Sequence, residues 1–572
     1  MLMNRKSQKN KRRANDSGQA AVFLVLAMGL FLIGSMGFVV DGANLWFHRQ
    51  SAQTAADAAC TAGAMNMLSV AAGANPPNPN WIGTSSFQCS GSGSGGGNTP
   101  NSGLAPCQYA ALNGYTSSGL QANKAGTDVS VSFPASFGSM PACSATSNLC
   151  TAEDVVATPY MQVNVTDRVQ TTFIGMLNGG HTVDVGARAM CGLSNVLSPV
   201  PVVVLNPDAS SAMTGSGFSL TVTNGTEKAI QVNSTNSAAV NVSGPVTLTN
   251  ANGGLADFSV AGRENESDSG VTTLNGKWLS AAGVITDPFA SVPPPALPAT
   301  VGSFDTACPA DLGIPPGHCQ HFHPGYWGSG ITVGASTGAS ALIAVFEPGI
   351  YYLDGDFVAN PNTCLRPDTT GPNMGGTVFY LHGTSSLAIH SSSGTASSGA
   401  FNCATTPVPI SAIQCTGSAN PLLSNLPAGG VTGNVLLGPC EAPATDPLYP
   451  YGDPLGSADP AGEQRGIVFF HDRDSQPSSQ LKWHASGSSG LIGSVYFHYC
   501  DSTTSTGTGS GLHCSSTAFT DIFSPGSGAD SYIVGTMVVD QLQLGQPTGA
   551  SLITITLNPN AQYHTLKASL LQ

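Results

Sequence analysis

Residues 20–40 form a run of 21 positions without a single charge, AAVFLVLAMGLFLIGSMGFVV. At ~1.5 Å rise per residue, a helix of that length spans the ~30 Å hydrocarbon core of a bilayer. Arg5, Lys6, Lys9, Lys11, Arg12 and Arg13 precede it. A basic cluster beside a membrane helix stays in the cytoplasm, which puts everything after Val40 outside. A core helix would rarely run this far uncharged. A cleaved leader would need small residues at a cutting site after a shorter apolar core, and Gly34, Ser35 and Met36 suit that poorly. The expectation is an uncleaved, single-pass anchor.

After the run, Ala52, Ala55, Ala56, Ala59 and Ala62 continue in helix-favouring sequence. They form a stripe of small residues that lets another surface approach closely, either the chain's own globular part or a partner. Arg12-Arg13, Ser17-Gly18-Gln19-Ala20, the apolar run, Asp41-Gly42-Ala43-Asn44-Leu45-Trp46 and the alanine-rich Gln50 to Ala59 together resemble the N-terminal segment of the TadE/TadG-like family. That family belongs to the bacterial tight-adherence (Tad, or Flp) pilus assembly system. Pilin-like members carry a glutamate five residues after the glycine at which a prepilin peptidase cuts. Here Gly18 is followed by Gln19, and the fifth residue is Phe23. The resemblance therefore implies the permanently anchored, TadG-like branch.

Beyond the helix the texture is that of short strands. Only 9% of residues are charged and 69 are glycine, whereas long salt-bridged helices need more Lys, Glu and Arg. Met161, Val163 and Val165 alternate, residues 169–175 resemble a helix start, and Val183, Val185 and Ala187 alternate again, giving a small α+β module. From residue 199 onward, runs of four to six residues recur between Gly, Asn, Ser and Pro. Asn224, Asn233, Asn236, Asn241 and Asn250 fall where the chain must turn, and asparagine tolerates the left-handed conformation. Pro324-Gly325-Tyr326-Trp327, Pro348-Gly349-Ile350-Tyr351-Tyr352-Leu353 and Gly376-Thr377-Val378-Phe379-Tyr380-Leu381 repeat at intervals in the twenties, about one coil of a three-sided solenoid. Residues 466–470, 493–497 and 533–539 read as later rungs, and 552–557 as a final alternating strand. The phrases PGIYYLDGDF and GIVFFHDRD are similar to those of β-helical ectodomains attached to TadG-like anchors.

The fold class expected is mainly β: a transmembrane helix continuing into an Ala-rich helix, a small α+β module, and a parallel β-helix (β-solenoid) ectodomain. The expected divisions are 1–17 (cytoplasmic basic tail), 18–42 (anchor), 43–70 (extracytoplasmic helix), 71–196 (α+β module with loops) and 197–572 (β-helix-like domain, with a Pro-rich interruption near 288–300). Fourteen cysteines lie beyond the span, six from Cys60 to Cys191 and eight from Cys308 to Cys514, with no CxxC pair. Even numbers in each half suit disulfides made in an oxidising compartment. Cys89/Cys107, Cys143/Cys150, Cys308/Cys319, Cys403/Cys415 and Cys500/Cys514 are plausible loop closures.

Net charge is −14, and six of the 18 basic residues sit before the span, leaving the remainder strongly acidic. Such a body does not attract nucleic acid or anionic lipid. Several groups invite a chemical reading. His321 and His323 would share one strand face but lack a third metal ligand. Asp354/Asp356 and Asp472/Asp474 have the spacing of paired carboxylates, without the motifs of polysaccharide-cleaving β-helices. Asp208 and Ser210 follow an apolar strand as in a von Willebrand A metal site, but Ala212 stands where its last serine would be. No catalytic, cofactor or metal residue is assigned, and no enzyme activity is expected.

The resemblance implies a non-enzymatic protein of the bacterial inner membrane. Its N-terminus would be cytoplasmic and its ectodomain periplasmic or envelope-exposed. It would act in pilus assembly, anchoring or adhesion, with partners among other Tad/Flp proteins, the cell wall or the outer membrane. The alternative is an anchored β-helix that binds or cleaves glycans, for which Tyr326, Trp327, Tyr351 and Tyr352 are the aromatics to inspect.

Overall fold

The computed structural model describes residues 6–71, 81–82, 85–94, 100–134, 160–178, 181–197, 200–289, 292–307, 317–334, 342–361, 363–368, 377–389, 397–398, 401–402, 435–438, 466–473, 475, 479, 481–484, 489–499, 520–524, 530–545, 551–557 and 564–571. Helix α1 (Lys6–Ala71) is continuous for 66 residues, about 100 Å at 1.5 Å per residue. No proline interrupts it, and its six glycines stand singly, flanked by better helix formers.

The outer end of α1 packs on an antiparallel sheet of five strands, in the order Phe87–Gln88, Gly126–Ser132, Tyr160–Gln170, Thr182–Leu197 and His564–Leu570. Strand alternation supplies its core. Val129, Val131, Met161, Val163, Val165, Ala187, Ala189 and Leu193 are buried on the helix side, with Trp81 and Leu104 closing the edge. Helix α2 (Ala105–Leu112) is tied in by Cys89–Cys107, the spacing expected to close a loop. Helix α3 (Phe173–Asn178) sits at the tip of the hairpin made by the two longest strands. The last strand corrects one expected boundary: His564–Leu570 lies in this antiparallel sheet, not with the strands that start near residue 200.

The other described strands form sheets of eleven, ten and eight, plus one two-stranded pair. The three large sheets are parallel throughout, except where Ser303–Asp305 runs antiparallel at one edge. Their inner faces share one core. In the ten-stranded sheet an inward row runs Tyr351, Phe379, Phe469, Val495, Met537, Val202, Ile230, Phe258, Trp278. The repeated phrases fall on consecutive strands of this sheet: Gly325–Trp327, Gly349–Leu353, Thr377–Leu381, Ile467–His471 and Ser494–Phe497. Pro324 lies beside Gly349, while the strand register sets Gly325 opposite Tyr351. Gly349 has φ 144°, and a Cβ there would come within 2.6 Å of the Pro324 ring, so only glycine fits. The expected rung 533–539 is instead two strands in different sheets, Asp530–Val534 and Met537–Val539, with the turn at Gly535 and Thr536.

Spatial order departs from chain order. Val202–Val204 pairs with Met537–Val539, Met213–Ser216 with Leu542–Leu544, and Phe218–Gly225 with Ser551–Thr556. The chain thus starts in the interior of each sheet, proceeds to one edge at Lys277–Leu279, and resumes at the opposite edge at Gly325–Trp327. The proline-rich stretch makes that transit as an extended strap over the outer face of the ten-stranded sheet. Asn233 brackets the backbone of Ile285 (Nδ2 to carbonyl 2.7 Å; N–H to Oδ1 3.1 Å). Phe289 is fully buried against Tyr496, the Arg473 guanidinium donates to the Phe289 and Val292 carbonyls, and Val301 bridges to Tyr326. Proline suits a strap because its backbone is pre-extended and brings no N–H that needs a partner.

Of the five turn asparagines, only Asn224 adopts positive φ (61°). Asn236 and Asn250 instead accept backbone N–H groups two residues on, Asn233 holds the strap, and Asn241 lies within Val240–Ser243.

Candidate membrane anchor and other candidate sites

The inner part of α1 touches almost nothing. Phe23, Leu30 and Phe31 are 73%, 75% and 73% exposed, and neighbouring Leu24, Val25 and Phe38 are similar. A contiguous apolar surface of this kind marks an interaction site, and its length matches that of a bilayer's hydrocarbon core. The helix is long and apolar enough to cross a membrane once.

The span meets the folded body at Asp41. This carboxylate is 4% exposed and accepts the backbone N–H groups of Thr172 (3.2 Å), Phe173 (2.8 Å) and Ile174 (2.7 Å). It caps α3 from outside, satisfying the N–H groups that a helix start leaves without intrahelical partners. One turn nearer the span, Gly37 lets the Phe173 ring lie on the helix backbone: a Cβ there would come 2.4 Å from the ring. The apolar tip of the hairpin is thereby held at the level where the uncharged run ends.

Further out, His48 Nδ1 lies 2.8 Å from Asp167, which also accepts the Tyr115 hydroxyl at 3.2 Å. Burial, with Asp167 beside it, pushes that phenol above its usual range. Gln53 donates to the Arg188 carbonyl at 3.0 Å. Ala52, Ala55, Ala56 and Ala59 are fully buried against the chain's own sheet, so within one molecule the small-residue stripe is already occupied. Gly63 extends it, leaving room for Met161. Cys60–Cys191 then joins helix to sheet covalently, a pair 131 residues apart that near-neighbour spacing does not suggest. Cys319 and Cys364 are disulfide-bonded as well, while Cys143, Cys150, Cys308, Cys403, Cys415, Cys440, Cys500 and Cys514 lie outside the described residues.

The groups singled out in the body separate into distinct environments. Asp354 accepts from the Tyr326 hydroxyl (3.0 Å) and faces His382 Nδ1 (2.9 Å), contacts that hold its carboxyl below the usual range, His382 foremost. Asp356 turns to the Ser386 N–H and hydroxyl, both at 2.8 Å. The two aspartates therefore serve different partners and do not converge on one point. Asp472 accepts the Gly383 N–H, and Asp474 lies outside the described residues. Tyr351 points inward, its hydroxyl against the carbonyls of Phe322 and Glu347. Tyr326, Tyr352, Tyr380, Phe470 and Tyr496 stack along the outer face at 5.0–6.1 Å and pack with the strap rather than lining an open groove. Asp208 lies in a turn organised by Asn206, and Ala212 is wholly buried.

His321 and His323 do share the outward face of Cys319–His323, while Phe322 points into the core. Their surroundings contain what the local sequence lacks. His321 Nε2 is 3.1 Å from Asp368 Oδ2 and 3.5 Å from Glu347 Oε1. His323 Nδ1 is 2.8 Å from Glu347 Oε2, and its Nε2 is 3.2 Å from Asp305 Oδ2. These carboxylates come from neighbouring strands and carry no signal in a linear reading.

No curated protein and no solved structure matches the chain. Residues 18–66 match the model of the Tad family, described as Flp pilus-assembly TadE/G-like. The matched residues take in the exposed apolar helix, Asp41 with its three N–H groups, and the buried alanine stripe. Over this helix and its junction, and there alone, the chain is similar to the Flp pilus-assembly TadE/G-like family.

Proposed function

We propose that this protein is a non-enzymatic, single-pass component of the bacterial inner membrane that serves the Tad/Flp pilus, in its assembly, its anchoring or surface adhesion. The observation that carries the reading is the family match lying on a lipid-suited helix whose far end is fused, by packing and by Cys60–Cys191, to a large β body. The basic residues ahead of the span favour a cytoplasmic N-terminus, which places the body in the periplasm or envelope. The three parallel sheets are read as the faces of one parallel β-helix, supported by their shared core and their strand-by-strand register. Such a body offers long rigid faces to the pilus machinery, the cell wall or the outer membrane.

The test is a chromosomal deletion, complemented either by the whole chain or by a short form in which a linker replaces residues 200–557 and the antiparallel sheet keeps its last strand. Loss of surface pili or attachment on deletion, restored by the whole chain and not by the short form, is the expected result. Unchanged piliation and attachment in the deletion strain would refute the proposal.

A further inference from the structure

The geometry points to a divalent transition-metal site on the outer face of the eleven-stranded sheet, with His321, Glu347 and Asp368 as ligands. The site is separate from the membrane anchor and does not depend on the pilus reading. Three adjacent parallel strands build it. Phe322, Phe346 and Pro367 are in register, which places His323, Glu347 and Asp368 at one level, with His321 two residues before on the same face as His323. The Glu347 N–H donates to the Phe322 carbonyl (3.0 Å) and the Asp368 N–H to the Phe346 carbonyl (2.7 Å), so both acidic residues leave the sheet from fixed backbone.

The spacing admits an ion as well as the direct hydrogen bond between His321 Nε2 and Asp368. Two donor atoms bound tetrahedrally at about 2.0–2.1 Å from a metal lie about 3.3 Å apart. His321 Nε2 is 3.1 Å from Asp368 Oδ2 and 3.5 Å from Glu347 Oε1, and one donor atom from each of the three residues lies within 4.8 Å of the others. The outer partners also fit. His323 Nδ1 engages the second Glu347 oxygen, and its other nitrogen meets Asp305 on the antiparallel edge strand, an arrangement that fixes a ligating carboxylate in orientation. His321 and Asp368 are each 9% exposed, so the pocket is desolvated on one side, with Glu347 more open. One imidazole and two carboxylates form a mixed N/O set that favours Zn2+ and its first-row neighbours over Ca2+ or Mg2+, which prefer oxygen alone.

The test uses the full chain in detergent, stripped with a chelator and titrated with Zn2+ by calorimetry, with Ca2+ run in parallel. Co2+ is added as a spectroscopic probe. The expected result is a saturable Zn2+ site of micromolar affinity or tighter, weak Ca2+ binding, and the intense visible absorption of low-coordinate Co2+. H321Q and D368N should each weaken Zn2+ by about 100-fold or more, and H323Q, which removes an orienting contact, by about 10-fold. Wild-type protein that shows neither saturable Zn2+ binding nor the Co2+ spectrum would overturn the proposal, whether or not the variants fold. So would folded H321Q and D368N proteins that bind as wild type does.

Discussion

Removing the Cys60–Cys191 bridge tests how the anchor is joined to the body. The bridge closes a chain loop of 131 residues. In the chain-entropy description, a loop of that size takes about 17 cal/mol/K from the unfolded chain, or about 5 kcal/mol at 25 °C. Both sulfurs are fully buried at the contact between helix and sheet, so alanine at both positions leaves the surrounding packing of Ala56, Ala59, Met161 and Ala189 largely in place. The double variant C60A/C191A should therefore lose about 3–5 kcal/mol, chiefly through the freed unfolded state. The Cys89–Cys107 bridge closes only 18 residues, and C89A/C107A should lose less, about 3 kcal/mol.

Peptide-resolved hydrogen exchange on the purified full chain reads the effect where it acts. Peptides covering 160–170 and 182–193 should lose protection in C60A/C191A, whereas peptides covering 349–353 and 377–381, far from the helix, serve as the internal control. Equal protection of the antiparallel sheet in variant and wild type would refute the reasoning. So would a larger loss in C89A/C107A, because the loop-length argument requires the opposite order.

Asp41→Ala should leave the start of α3 without its three N–H acceptor contacts and cost about 1–2 kcal/mol, seen as faster amide exchange at residues 172–174; unchanged exchange there would refute the cap. Phe289→Ala, which empties a fully buried site under the strap, should cost about 3–5 kcal/mol and expose residues 284–301 to limited proteolysis. His498 is opposed by burial, but Asp540 at 2.5 Å overrides this and raises it to about 9. Its folded value lies above the unfolded one near 6.5, so its stabilisation is complete below about pH 6.5 and is lost as pH rises through about 9. Thermal melts at fixed ionic strength should show that decline, and it should be missing in H498Q. Asp521 is buried, and burial, with the charge of Asp540 adding to it and the Leu481 backbone opposing it, pushes its carboxyl well above the usual range. Asp521→Asn should therefore gain stability relative to wild type as pH rises above about 4, where ionisation favours the unfolded chain, and a constant difference from pH 3 to 7 would count against this.

Much of the architecture was legible because its cause is local. An uncharged run, an alanine stripe, a short cysteine spacing and the repeated strand phrases each act within a few residues, and each appears where the pattern puts it. What escaped a linear reading depends on partners far apart in the chain. Nothing near His564 announces that it pairs with Leu197, or near Ser551 that it pairs with Phe218. The histidine cluster shows the same limit at a site. His321 and His323 are visible together, while Asp305, Glu347 and Asp368 look like isolated surface acids until strand pairing assembles them. The asparagines misled in a different way. Their turn preference suggests a backbone property, but at Asn233, Asn236 and Asn250 it is the side-chain amide that does the bonding.

The displaced chain order of the sheets has a mechanical reason. The body is entered at Val202 and left after Leu557, and the first strands of the body pair with the last ones: Val202–Val204 with Met537–Val539, and Phe218–Gly225 with Ser551–Thr556. The flanking segments, Thr182–Leu197 and His564–Leu570, pair with each other in the sheet that grips α1. Both ends of the body therefore return to the same antiparallel sheet, which Cys60–Cys191 in turn ties to the helix, so a pull on the body reaches that sheet through two backbone connections. A chain that simply stacked its strands in order would leave at the far edge and could hold the helix by one connection alone. The cost of the double attachment is the long transit between edges, and the proline-rich strap meets it by crossing as a packed, hydrogen-bonded layer over Tyr352, Tyr380, Phe470 and Tyr496 rather than as a free loop.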